Sequence, residues 1–311
     1  MNEPPARAKP ARAKPARPVR LDPLAVRRQL REEGLRPHRS LSQNFLADPD
    51  VLQSILDLAA PAPGSRILEI GPGLGILTRG LIASGAEVTA VELDGHLADR
   101  LRGSEAQAIE SGSLRLVQGD ILDQDLAALI SPPYEVVANV PYHITSPILH
   151  RFLGRAPRPS RLVLMLQREV AERIAAEPGG MSYLTLFVQY HASVEIAFRV
   201  PRQAFEPAPE VDSAVVVIEP RDPGGERPIL PAAEEDDLWR LIQSSFHERR
   251  KMLRNVLTRQ LPISGEKVEQ ALAATGIDGQ RRPQTLSLSE WLDLRQAIGG
   301  LPAQSGTGGR S

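Results

Sequence analysis

Apolar and polar positions along this chain fall into a repeating order. Short aliphatic runs at 67–70, 87–91, 114–117 and 134–138 predict strands, and between them apolar positions recur at spacings of three and four, predicting helices at 76–84 and 95–101. Strands and helices in alternation at this spacing predict a parallel, doubly wound α/β sheet. The same reading continues with a strand at 161–166, helices at 168–176 and 182–191, and strands at 194–200 and 214–219 around the proline-rich loop 201–213. Ahead of the first strand, Asp22-Pro23 and Asp48-Pro49 each open a helix, with Asp as cap and Pro at the first helical position. Past Pro220 the pattern turns wholly helical. A linker is expected over 221–233 and a smaller all-helical domain over 234–299.

Composition narrows the classes open to such a chain. Its 311 residues suffice for an α/β domain with a companion, since domains run to about 100–200 residues. No apolar run approaches the roughly 20 residues a membrane helix requires, so no membrane partner is expected. Without cysteine there is no disulfide, thiolate metal site or cysteine nucleophile, and the six histidines form no ligand-spaced pair, so no metal is expected. The formal net charge of −1 conceals an asymmetry: residues 1–40 carry 11 Lys and Arg against 4 Asp and Glu, and the remainder 26 against 34. Ala-Arg-Ala-Lys-Pro occurs twice in tandem at 6–15, without the apolar core of a signal peptide, and prolines at 4, 5, 10, 15 and 18 exclude a continuous helix. Residues 1–20 are expected to form a disordered basic tail, either attracting phosphates or solvated without function. Residues 300–311, rich in Gly and Ser, read as a second loose end.

Candidate chemistry gathers where the predicted strands end, the place at which open α/β sheets bind ligands. Gly71-Pro-Gly-Leu-Gly75 follows the first strand, and Glu92, 21 residues after Gly71, ends the second. Glycines let backbone approach a nucleotide, and a carboxylate there can accept both ribose hydroxyls. The dinucleotide spacing G-x-G-x-x-G fails, because Ile76 and Thr78 stand where its last glycine would be. G-x-G-x-G preceded by Glu69, with Gly119-Asp120 after the third strand, suits S-adenosylmethionine better, since that ligand has no pyrophosphate; a dehydrogenase is the distant alternative. At the end of the fourth strand stands Asn139-Val-Pro-Tyr142. The Asn139 carbonyl and a main-chain carbonyl near Pro141 can accept N–H groups from an exocyclic amine, while Tyr142 stacks on its ring; the alternative is an ordinary turn after a strand. The run 246–259 carries five Lys or Arg against one Glu, a solvated helix face or a phosphate-binding surface.

Taken together, SQNFL at 42–46, LEIGPGLGILT at 68–78, VELD at 91–94, GD at 119–120, NVPYHIT at 139–145, QREVAERI at 167–174, FEPAPEVDS at 205–213 and FHERRKMLRN at 246–255 resemble the bacterial small-subunit ribosomal RNA adenine N6-dimethyltransferases. The resemblance runs from about residue 36 to 298. It implies a Rossmann-like S-adenosylmethionine-dependent methyltransferase sheet over 21–220 and a small all-helical C-terminal domain that binds rRNA. It further implies a cytoplasmic monomer that dimethylates two adjacent adenosines in the 3′-terminal hairpin loop of 16S rRNA within the immature 30S subunit. By position, Asn44, Leu46, Gly71, Glu92, Asp120 and Asn139 would line the cofactor site, and Asn139, Pro141 and Tyr142 would hold the adenine. Phe205 would stack on the other face of the base, unless it anchors its loop to the core. Arg249, Arg250, Lys251 and Arg254 would meet rRNA phosphates. Ser42 and His143 depart from the family's usual residues, while Val140 stands where the family has Leu or Val. The nearest rivals are adenine methylases of the same fold acting on 23S rRNA or DNA, and an assembly factor whose methylation is secondary.

Overall fold

Strands that are aliphatic on both faces need helices on both. The computed structural model of the chain, which describes residues 21–37, 43–222, 230–248 and 250–302, has that arrangement. The basic tail 1–20, Ser42, Arg249, linker residues 223–229 and the end from 303 lie outside the described residues. In chain order the elements are α1 (Pro23–Glu32), β1 (Phe45–Leu46), α2 (Pro49–Ala59), β2 (Arg66–Ile70), α3 (Ile76–Ala83), β3 (Glu87–Glu92), α4 (Gly95–Ser104), α5 (Ala106–Glu110), β4 (Leu114–Gln118), α6 (Leu126–Leu129) and β5 (Glu135–Asn139). There follow α7 (Thr145–Gly154), β6 (Arg161–Gln167), α8 (Arg168–Ile174), α9 (Tyr183–His191), β7 (Ala192–Val200), β8 (Phe205–Glu206) and β9 (Ser213–Pro220). Four helices close the described chain: α10 (Ala232–Phe246), α11 (Leu253–Gln260), α12 (Gly265–Thr275) and α13 (Leu288–Ile298).

The main sheet has the order β4-β3-β2-β5-β6-β9-β7, parallel through β6, with β9 antiparallel to both its neighbours. The chain winds outward from β2 to β4 and then returns to β5 on the other side of β2. The carboxyl ends of β2 and β5 therefore flank the point where strand order reverses, and a crevice opens there. Alternate residues face opposite layers: Leu68, Val136, Leu164 and Val216 pack with α7, α8 and α9, whereas Ile67, Val137, Val163 and Val215 pack on the side of α2 and α3.

Local signals account for most helix starts. The Asp22 carboxylate accepts from Ala25 N and that of Asp48 from Asp50 N and Val51 N, each with Pro at the first turn. Ser182 and Thr185 form a reciprocal capping box, which explains how the β-prone stretch Tyr-Leu-Thr-Leu-Phe-Val begins a helix. Two expectations change. α7 forms directly after the NVPY segment, where no helix was expected. The basic run is not one helix face: α10 stops at Phe246 and α11 starts at Leu253, with the described residues between them in a turn. The C-terminal helices share a core around Leu241, Leu257, Leu272 and Trp291, joined by Met181, Leu186 and Tyr190 from around α9. The Trp239 ring lies 5.2 Å from Tyr190 and 5.5 Å from Phe187, so the helical unit is seated on α9.

Candidate active site

The crevice holds a cavity of about 140 Å³ whose lining includes Asn44, Leu46, Gly71, Glu92, Asp120, Asn139, Pro141 and Tyr142. Eight residues drawn from five separate stretches of sequence thus meet in one place. Phe205 does not line it, and the described basic residues Arg250, Lys251 and Arg254 are exposed on the C-terminal unit. Arg254 is 3.5 Å from Glu269.

The glycine turn shapes one wall. Gly71 and Gly73 have φ of +65° and +56°, a region that a Cβ penalises, and a Cβ on Gly73 would stand 3.0 Å from the Phe45 ring. Glu92 fixes this turn from β3. Its Oε2 accepts from Gly73 N at 2.9 Å and its Oε1 from Asp94 N at 2.9 Å. Each oxygen keeps a lone pair for a ligand hydroxyl. Burial raises the Glu92 carboxyl above the usual range, and the backbone N–H groups of Asp94 and Gly73 oppose that rise. Deeper lies Glu69, which sequence reasoning noted only as the acid before the glycines. It is 2% exposed, its Oε2 has no hydrogen-bond partner, and burial, with the Glu92 charge acting in the same direction, pushes its carboxyl up to about 8. Asp120 accepts from Leu122 N at 2.8 Å, turning the loop after β4 beneath the cavity.

β5 delivers the other wall. Asn139 Nδ2 donates to the Asn44 carbonyl at 3.1 Å, which fixes the amide and leaves Oδ1 as its acceptor. The Pro141 carbonyl accepts from Ile144 N at 3.1 Å and retains a lone pair. Tyr142 starts a short 3-10 turn and is held from behind: its hydroxyl and the fully buried Ser213 Oγ are 2.7 Å apart. Ser213 escaped sequence reasoning because its partner lies 71 residues away.

Phe205 faces the core. It is 1% exposed and packs with Leu46, Val200, Ala204 and Val215. β1 and β8 pair antiparallel, Leu46 opposite Phe205 and Phe45 opposite Glu206, and this pairing turns the ring into the core. In this arrangement the Phe205 ring packs into the core and lies off the cavity. Glu206 is held by Arg27 of α1 through two hydrogen bonds of 2.8 and 2.9 Å.

The cavity lining contains three acids, Glu69, Glu92 and Asp120, and no Lys or Arg. With no cation to meet a phosphate, this lining disfavours a dinucleotide and suits a nucleoside without phosphate. Fold and site together define a Rossmann-like methyltransferase. The ribosomal RNA adenine dimethylase family model matches residues 34–298, and the chain belongs to that family. It is thus an rRNA adenine dimethyltransferase.

Ribosomal RNA small subunit methyltransferase A of Moorella thermoacetica is 39% identical over 281 residues, covering 86% of this chain and 95% of that protein. The protein of the same name from Geobacter metallireducens is 42% identical over 277 residues, covering 86% and 98%. Among solved structures, the 23S rRNA methyltransferase ErmE aligns with TM-score 0.64 at 29% identity, covering 82% of this chain and 99% of that one. A dimethyladenosine transferase from Plasmodium falciparum aligns with TM-score 0.66 at 24% identity, covering 80% and 95%, a likeness of fold.

Proposed function

We propose that this dimethyltransferase uses S-adenosylmethionine to methylate N6 of two adjacent adenosines in the 3′-terminal hairpin loop of 16S rRNA. It would act as a cytoplasmic monomer on the immature 30S subunit, contributing to small-subunit biogenesis and releasing S-adenosylhomocysteine. The observation that carries the reading is the Asn139 amide, locked by Asn44 with its acceptor left for an incoming amine. Relatives named for the small subunit support the choice of target.

S-adenosylmethionine, when bound, supplies an electrophilic methyl group and a neutral thioether leaving group. The protein's share is positioning and polarisation. Glu92 would take the ribose hydroxyls, and Asn44, Leu46, Gly71 and Asp120 would wall the nucleoside. Asn139 Oδ1 and the Pro141 carbonyl would accept the two N6–H groups, drawing them from the ring plane and returning the lone pair to nitrogen. Tyr142 would carry the ring by stacking, which an unpaired loop adenine permits at modest cost. The methylated nitrogen would shed one proton to solvent, leaving a single N–H for either acceptor, so a second transfer to the same nitrogen can follow. Arg250, Lys251 and Arg254, with Arg249 beside them in sequence, would meet phosphates and set orientation. No step calls for a metal.

The test is methyl transfer to 30S particles lacking the modification, with the digested rRNA read by mass spectrometry. Dimethyladenosine at two neighbouring loop positions, lost in Asn139→Ala, is the expected result. Methylation confined to 23S rRNA or DNA would reject the assigned target. Native assembly activity in a Glu92→Ala variant that cannot bind cofactor would favour the assembly-factor reading.

A further inference from the structure

Helix α1 stands outside the strand–helix repeat, and three sets of contacts decide which of its faces looks outward. Val26 and Leu30 bury against Phe45, Leu74 and Leu97. On one flank Arg27 grips Glu206 with two hydrogen bonds. On the other, Glu33 pairs with Arg100 of α4. At 100° per residue the remaining face carries Leu24, Arg28, Arg31 and Glu32, and Arg36 follows the helix. Leu24 is 71% exposed. Arg28, Arg31 and Arg36 are exposed and their side chains form no hydrogen bond or ion pair among the described residues, whereas those of Arg27, Arg79, Arg100 and Arg102 nearby are all paired.

The position of this face matters. Glu206 sits in the loop that ends at Ser213, the residue behind Tyr142, so α1 is docked on the segment bordering the base side of the crevice. The electrostatics point the same way. Residues 21–40, which contain α1, carry a net +2 and follow a stretch of net +5 at 1–20, whereas residues 41–311 carry a net −8, so the cationic excess of the chain lies ahead of the catalytic sheet and continues into α1. We propose that the outward face of α1, through Arg28, Arg31 and Arg36, binds rRNA phosphates beside the target loop, a second anchoring surface besides the C-terminal basic turn. The proposal rests on the rRNA substrate reading above. These contacts hold backbone and carry no base specificity, so they serve orientation and affinity.

The test uses full-length protein and unmodified 30S particles, with binding titrated from 50 to 200 mM salt. Each phosphate contact contributes about 0.7–0.9 to the slope of log affinity against log salt, so losing three makes the affinity drop across that range about 20- to 40-fold shallower. The triple variant Arg28→Gln/Arg31→Gln/Arg36→Gln should show that change, with S-adenosylhomocysteine binding unaltered. Glu32→Lys adds a cation to the same face and should act in the opposite sense, tightening binding and steepening the slope. This gain cannot come from misfolding. Wild-type slope and affinity in both variants would overturn the proposal. Failure of the wild-type enzyme to methylate 30S would instead strike the substrate reading, and the same titrations would then be run on whichever RNA it methylates.

Discussion

Ser213 offers a severe test of how the target base is held, because it touches neither the cavity nor any predicted ligand. Its Oγ lies 2.7 Å from the Tyr142 hydroxyl, it is fully buried, and burial raises the Tyr142 phenol above its ordinary pKa, so the phenol stays neutral. Ser213→Ala deletes one atom and leaves the tyrosine hydroxyl without its partner, which costs about 1–3 kcal/mol. Part of that appears as lost stability, and part as freedom of the ring to leave the plane in which we propose it stacks. A loss of about 1.4 kcal/mol in positioning lowers the rate of methyl transfer roughly 10-fold. Single-turnover transfer at saturating cofactor measures this, with urea unfolding alongside and titration with S-adenosylhomocysteine as control. Cofactor affinity should not move. Tyr142→Phe removes the same hydrogen bond from the other side, so the double variant should fall short of additivity by about 0.5–1.5 kcal/mol. A wild-type rate in Ser213→Ala, or strict additivity, would refute the idea that Ser213 sets the ring.

Gly73→Ala should lose about 1–3 kcal/mol of stability, since φ is +56° and its Cβ would press on Phe45 at 3.0 Å, and S-adenosylhomocysteine titration should show weakened binding as the Glu92 contact shifts. Phe205→Ala should cost about 3–5 kcal/mol in denaturant unfolding as a core truncation; full stability with activity abolished would restore the stacking role. His191 lies 4% exposed against Phe187, Tyr190 and Trp239, its Nε2 3.9 Å from Glu235, and burial, with Arg158 and His150, lowers its pKa to about 4. Its folded pKa is below the unfolded 6.5, so the unfolded state binds the extra proton between pH 6.5 and 4, and stability on the order of 3 kcal/mol is lost as pH falls through that window. Unfolding midpoints across the window should flatten in His191→Gln.

How much of this was legible in the chain depends on the range of the interaction. The strands, Glu92 at the end of β3 and Asn139 at the end of β5 follow from patterns only a few residues wide, because side-chain periodicity and the place where a strand stops are local properties. α7 lies outside the predicted helices although it contains Pro147, because that residue occupies the first helical turn, where its missing N–H forfeits no bond. The partners that tune the site were out of reach. Asn139 to Asn44, Tyr142 to Ser213 and Arg27 to Glu206 span 95, 71 and 179 residues, and no local pattern encodes them. The direction of Phe205 was decided by the same kind of fact, its pairing with Leu46.

Those distant contacts also bear on how the two substrates communicate. Asn44 and Leu46 wall the cavity, the Asn44 carbonyl orients Asn139, and Leu46 is paired with the strand that opens the 205–213 loop. Ala47 N donates to Ala204 O at 2.7 Å, closing the seam. A shift of 43–47 on cofactor binding would therefore be carried both to the Asn139 amide, which we propose meets N6, and to the loop behind Tyr142. Coupling of this kind is reciprocal: the factor by which S-adenosylhomocysteine changes affinity for the RNA must equal the factor by which the RNA changes affinity for S-adenosylhomocysteine. Paired titrations in each order should return the same factor, and that factor should approach one when Asn139→Ala severs the tie to Asn44. A factor unchanged by Asn139→Ala would place the coupling elsewhere, in the β1–β8 seam or in α1.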